Sequence, residues 1–162
     1  MQQDFSNIKI QPLLLANNDV AQDWIDICIL LSGVGKIDLP EDYLQFIKQF
    51  GEGAIGDHIY IFPIKKLCER TKFWRDGEPT TSEVKFFKKH NKNDCIVIGQ
   101  TSADDVIFYL STQYYFSTIQ YEEKIYKLGS TITDIIEFFS FHKKYGKHSV
   151  RTFTPFDSSL SC

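Results

Sequence analysis

Residues 37–56 read IDLPEDYLQFIKQFGEGAIG, and they hold a helix with both of its ends written in. Asp38 is placed to cap the first-turn amides, Pro40 suits an early helical position because it has no amide hydrogen to leave unbonded, and Glu41 completes a capping box. Tyr43, Phe46, Ile47 and Phe50 recur at the spacing of one helical face, while Glu41, Asp42, Gln45, Lys48 and Gln49 stay off it. Gly51 ends the helix, since a left-handed cap residue without a Cβ meets no clash. A helical face this aromatic needs a sheet or a second layer to bury it, and the rest of the chain must supply one.

Upstream, Val20, Trp24, Ile27, Cys28 and Leu31 mark another amphipathic helix, capped by Asn18 or Asp19 and ending at Gly33 and Gly35. Downstream, the period changes: His58 to Pro63 alternates like a strand that Pro63 stops. A helical turn is expected at Ile64 to Glu69, an exposed loop over residues 71–82 (TKFWRDGEPTTS), and a short helix from Glu83 to His90. Strands follow at Cys95 to Ile98, Val106 to Leu110, Tyr114 to Tyr121 and Lys124 to Leu128, the first two joined by a turn at Gly99 to Asp104. Ser130 or Thr131 caps a last helix with Ile132, Ile135, Ile136 and Phe139 on one side. Strand connections this short exclude parallel crossovers, so the expected fold is a single α+β domain with a mostly antiparallel sheet packed with helices. Its bounds are 18–145, with an irregular segment at 1–17 and a polar tail at 146–162 in which Phe153 and Phe156 are isolated apolar points.

The 162 residues suffice for one core without a metal or disulfide staple. Aromatics make up 15% of the chain, enough for a thick aromatic core and some surface rings for a partner. The sequence has no apolar run of membrane-spanning length and no signal-like start, so a cytoplasmic protein away from membranes is expected. Cys28, Cys68, Cys95 and Cys162 lack metal-site spacing, and His58, His90, His142 and His148 include no i, i+4 pair; no metal or cofactor is expected.

Net charge is −3, but it is blocked along the chain. Residues 1–64 carry nine acids against three bases, residues 65–92 carry nine bases against four acids, and residues 93–142 are again acidic, with seven acids against two bases. The basic block also holds Phe73, Trp74, Phe86 and Phe87, the mixture a single-stranded nucleic acid would use. Asp76, Glu78 and Glu83 dilute it, and on a Glu83 to His90 helix the two phenylalanines face the core while Lys85, Lys88 and Lys89 face water, so nucleic-acid binding ranks below protein binding.

Catalytic motifs fail on context. Gly51-Glu52-Gly53-Ala54-Ile55-Gly56 matches a dinucleotide fingerprint, yet it follows a helix and precedes a strand, the reverse of what places amides on a pyrophosphate; helix cap plus tight loop is the better reading. Gly33-Val34-Gly35-Lys36 lacks the rest of a P-loop. Asp104 and Asp105 are adjacent carboxylates without an evident third ligand, and read as turn acids. A non-enzymatic role is expected.

Leu39-Pro40-Glu41-Asp42-Tyr43 with its Gly exit, then HIYIFPIKKL (residues 58–67) and IVIGQTSADDVIFYLS (residues 96–111), together resemble the SUKH superfamily over about Trp24 to Phe139. The chain departs from that pattern at Ser102 to Val106, where members usually carry a Gly before the Asp. The resemblance implies an immunity protein that neutralises a cognate toxin of a polymorphic toxin system, possible nuclease toxins included, by direct docking, or else a regulatory scaffold of the eukaryotic kind. Candidate partner-binding residues are Glu52 and Asp57 in the loop after the Leu-Pro helix, Trp74, Asp76 and Glu78 in the 71–82 loop, and Asp104 and Asp105 in the hairpin turn.

Overall fold

The computed structural model describes residues 9–10, 39–56, 58–119, 122–145 and 152–155. The helix expected between Asn18 and Gly35 lies outside them, as do Cys28, Asp57, His148, Phe156 and Cys162.

The aromatic face at residues 43–50 finds the sheet it requires. Helix α1 (Glu41–Phe50) buries Tyr43, Phe46, Ile47 and Phe50, and Gly51 ends it at φ 74°, donating its amide to the Ile47 carbonyl at 2.8 Å. Its start differs from expectation: Pro40 is the N-cap, with no side-chain cap bond, and Glu41 reaches Gln45 at 3.4 Å instead of closing a box. Strand β1 (Lys9–Ile10) and strand β2 (Gly53–Ile55) come next in the description, and β2 turns directly into β3 (Ile59–Ile61). The Gly-rich exit is therefore a strand as well as a cap. Ala54 and Ile55 are buried there, and their pairing with β3 satisfies the backbone.

Helix α2 (Ile64–Asp76) replaces both the short turn and the first half of the exposed loop expected at 71–82. Ile64, Leu67, Cys68 and Thr71 are buried on its inner face, and Gly77 accepts the end of the helix by donating to the Phe73 carbonyl at 3.1 Å. Helix α3 (Thr81–Phe86) starts earlier than expected because Thr80 and Glu83 form a reciprocal capping box. A 3₁₀ turn at Lys92–Asp94 leads into a meander of β4 (Ile96–Thr101), β5 (Val106–Leu110), β6 (Gln113–Ser117) and β7 (Ile125–Gly129). Helix α4 (Ile132–Phe141) is capped by Thr131 in a box with Asp134, and it buries Ile132, Ile135 and Phe139.

The last described strand, β8 (Thr152–Pro155), lies in the segment expected as a polar tail. Sheet order is β1-β8-β2-β3-β4-β5-β6-β7, with every pairing antiparallel except β1 with β8. Segments assigned to the irregular start and the polar tail thus contribute strands to one α+β domain. Phe153 is fully buried, meeting Phe46 edge-on at 5.7 Å and Phe50 at 5.3 Å. A Cβ on Gly53 would strike the Thr154 carbonyl and the Phe153 ring, so only glycine lets β8 approach β2.

Helices cover both faces of the sheet. On one face, Phe139 of α4 packs edge-on against Phe116 at 5.0 Å, and Asp42 of α1 accepts hydrogen bonds from the Tyr114 hydroxyl at 2.9 Å and the Ile132 amide at 2.6 Å. Burial raises the Asp42 carboxyl above its ordinary pKa, against the pull of those two donors. On the other face, Trp74 of α2 stacks on Phe108 at 5.0 Å and Phe86 of α3 meets Tyr115 at 5.2 Å.

Phe153→Ala should cost about 3–5 kcal/mol in chemical denaturation, because it empties a fully buried aromatic site. A cost below about 1 kcal/mol would mean that residues 152–155 do not belong to the core.

Candidate functional site

A cleft of ≈ 380 Å³ opens on the face covered by α2, where that helix ends and leaves the sheet bare. Arg70, Phe73 and Trp74, at i, i+3 and i+4 on α2, and its C-cap Gly77 form one wall. Val97, Gly99 and Val106 form the floor. A Cβ at Gly99 would run into the Tyr60 carbonyl, so close strand approach keeps this floor position bare. Glu78, Gln100, Asp104 and Ile119 contribute the remaining rim.

Two large apolar side chains are left in water at this rim, Phe73 at 78% and Ile119 at 49% exposure. Carboxylates sit among them, so the cleft is apolar within and polar at its edge, the anatomy of a recognition site.

Glu83 holds the wall in place. It is 3% exposed, and its Oε1 accepts from the Trp74 indole N–H at 3.0 Å and the Ser117 hydroxyl at 2.9 Å, while Oε2 accepts from the Thr80 amide at 3.0 Å. One carboxylate thereby joins α2, α3 and β6. Lys92 completes the arrangement: its ammonium lies 4.7 Å from the Trp74 ring and donates to the Trp74 carbonyl at 3.0 Å. Burial lowers the Lys92 pKa, and the charge of Glu83 opposes that effect.

The cleft gathers three of the seven residues expected from sequence and separates the others. Trp74, Glu78 and Asp104 line it. Trp74 is half-buried and hydrogen-bonded, not a loop ring as expected, because α2 extends past it onto Phe108. Asp105 is 5% exposed, which corrects its reading as a turn acid facing a partner; its Oδ1 accepts from the Ile119 amide at 2.7 Å and so sets the rim from beneath. Asp104 takes φ 61°, the left-handed conformation that a Gly would favour before Asp105, and Asp tolerates it better than most residues. The two neighbouring carboxylates therefore point to different tasks. Asp76 is exposed at the end of α2 outside the lining, Glu52 pairs with Lys66 at 2.6 Å away from the cleft, and Asp57 lies outside the described residues.

The basic block is partly spent inside the protein. Lys66 pairs with Glu52, Arg75 donates to the Asn93 and Cys95 carbonyls at 2.7 and 2.6 Å, and Lys92 covers Trp74. Phe86 and Phe87 pack toward Phe108 while Lys85, Lys88 and Lys89 are exposed, as the sequence implies. Burial pushes the Cys95 thiol up to about 12, so it remains a packed, protonated group at neutral pH. Among the described residues, no group of three or more His, Cys, Asp or Glu is placed to hold a metal ion, and no helix is long and apolar enough to cross a membrane.

Sequence reading missed Glu83 and Ile119. A Thr80-x-x-Glu83 capping-box signature was available for the first. Nothing local marks its bond to Ser117, 34 residues away.

No family model, curated protein or solved structure matches this chain.

Glu83→Ala should destabilise the fold by about 2–4 kcal/mol, since it strands the Trp74 and Ser117 donors and the Thr80 amide, the last of which is the Glu83 side-chain half of the capping box. Glu83→Gln, which keeps one acceptor oxygen but turns an amide NH2 toward a donor that the second oxygen served, should cost less than Glu83→Ala in the same denaturation experiment, about 1–2 kcal/mol. Equal losses from both would contradict the network.

Proposed function

We propose that the chain is a non-enzymatic binding protein that docks on another protein through the α2 cleft and its surrounding loops, and that it serves as an immunity protein against a cognate toxin. The observation that carries the binding role is the pair of exposed apolar residues, Phe73 and Ile119, flanking a preformed cleft with acids at its edge. Water gains nothing from such a surface, whereas a partner that covers it releases that hydration and meets the charges. The toxin as partner is supported by the resemblance of the Leu-Pro-Glu helix, the strand after it and the later hairpin to the SUKH superfamily.

In this reading the sheet and its two helix layers supply a rigid platform. The exposed acids Asp76, Glu78 and Asp104 speed encounter with a basic surface, as on a nuclease toxin, and the apolar groups hold the complex once it forms. A regulatory scaffold would use the same surface differently: it would bind several host proteins and protect against none.

Co-expression with the toxin encoded beside this chain tests the role. Protected cells support it; unprotected cells, or a neighbouring gene with no toxic C-terminal domain, oppose it. Replacing Asp76 and Glu78 together with Ala should weaken toxin binding by a larger factor at low salt than at high salt, measured by titration calorimetry, because both are exposed charges subject to screening. The same loss at both salt concentrations would exclude steering by this corner.

A further inference from the structure

We propose that the cleft receives one arginine side chain projecting from the partner protein. This rests on the reading of the chain as a protein-binding module, and it adds which group the module recognises.

Three features select that occupant. The cleft is the size of a side-chain or small-ligand pocket, and its floor of Val97, bare Gly99 and Val106 suits an aliphatic stem. Its charge is one-sided: Glu78, Glu83 and Asp104 line it against Arg70 alone. Glu83 is committed to its internal donors, but Glu78 and Asp104 are exposed and have no ion pair among the described residues; Asp104 meets only Gln100, at 3.4 Å. They are free to take a guanidinium from the rim.

The third feature is the distribution of cations over the lining rings. Arg70 lies 5.3 Å from the Phe62 ring centroid, and Lys92 lies 4.7 Å from that of Trp74. Among the described residues none places a cation over Phe73, although it is the most exposed of the three rings. A planar guanidinium stacks on such a ring and pairs with carboxylates in the same pose, which a compact ammonium does less well. An acidic or purely apolar side chain would leave Glu78 and Asp104 opposed or unpaired on closure.

The test is an NMR titration of the full chain, read at the Gly99 amide and the Trp74 indole N–H. The probes are Nα-acetyl-arginine methylamide and its uncharged isostere, Nα-acetyl-citrulline methylamide. The arginine probe should shift both signals saturably, and citrulline should bind at least about five-fold more weakly. Glu78→Gln combined with Asp104→Asn should weaken the arginine probe by a similar factor without lowering the melting temperature; both sites are exposed, and Asn tolerates the positive φ at 104. No saturable shift at Gly99 and Trp74, equal binding of the two probes, or full binding by the double variant would each overturn the proposal. Arginine binding by a chain that fails to protect cells would support this pocket while removing the immunity role, and protection without arginine binding would do the opposite.

Discussion

The Glu83 carboxylate is the interaction on which the recognition face depends. A carboxylate removed from water must be nearly saturated with donors to be tolerated, and Glu83 receives an indole N–H, a hydroxyl and a backbone amide. Those donors come from three separate elements. Satisfying the charge and fixing the relative positions of α2, α3 and β6 are therefore the same event. Because Trp74 is held, the wall of the cleft is held, and the exposed Phe73 beside it projects from a rigid helix instead of a loop.

Around this point the sheet does two jobs. Its face toward α1 and α4 builds an aromatic core of Phe46, Phe116, Phe139 and Phe153, whose burial favours folding. Its other face is covered by α2 and α3 only in part. The bare remainder, floored by Gly99 and edged by Asp104 and Ile119, is the cleft. Asp105 illustrates how the two jobs meet: it is buried like a core residue, yet what it positions is the amide of Ile119 at the rim.

Local chemistry explains which elements were legible in the sequence. A run of β-formers placed β5 at Val106–Leu110, the Ser130-Thr131 pair marked the start of α4, and the aromatic spacing and terminal glycine defined α1. The α+β class with a mostly antiparallel sheet followed from short connections, as observed. Helix α2 was cut short because Thr71, Lys72 and Arg75 look polar and Asp76-Gly77 looks like a turn; yet Thr71 is buried, its hydroxyl accepting from the Val97 amide at 3.0 Å. The gap between the strands expected at Val106–Leu110 and from Tyr114 located the β5–β6 turn, but not its form: Ser111 and Thr112 take positive φ without the Asn or Gly that usually announces it. Strand β8 could not be seen locally at all: residues 152–155 read Thr-Phe-Thr-Pro, with one large apolar side chain, and their place between β1 and β2 is decided by partners far away in sequence. Of the site, the acids Glu78 and Asp104 were legible as exposed loop charges, while the roles of Trp74, Glu83 and Asp105 rest on long-range hydrogen bonds.

The central claim is that a buried carboxylate locks the wall of the cleft, and hydrogen exchange at the Trp74 indole tests it most directly. If Glu83 holds that N–H in the folded protein, exchange should be slowed at least about a hundred-fold relative to an unfolded reference and should quicken in Glu83→Ala before global unfolding. Exchange of the Trp74 indole at the unprotected rate in the native protein would contradict the account.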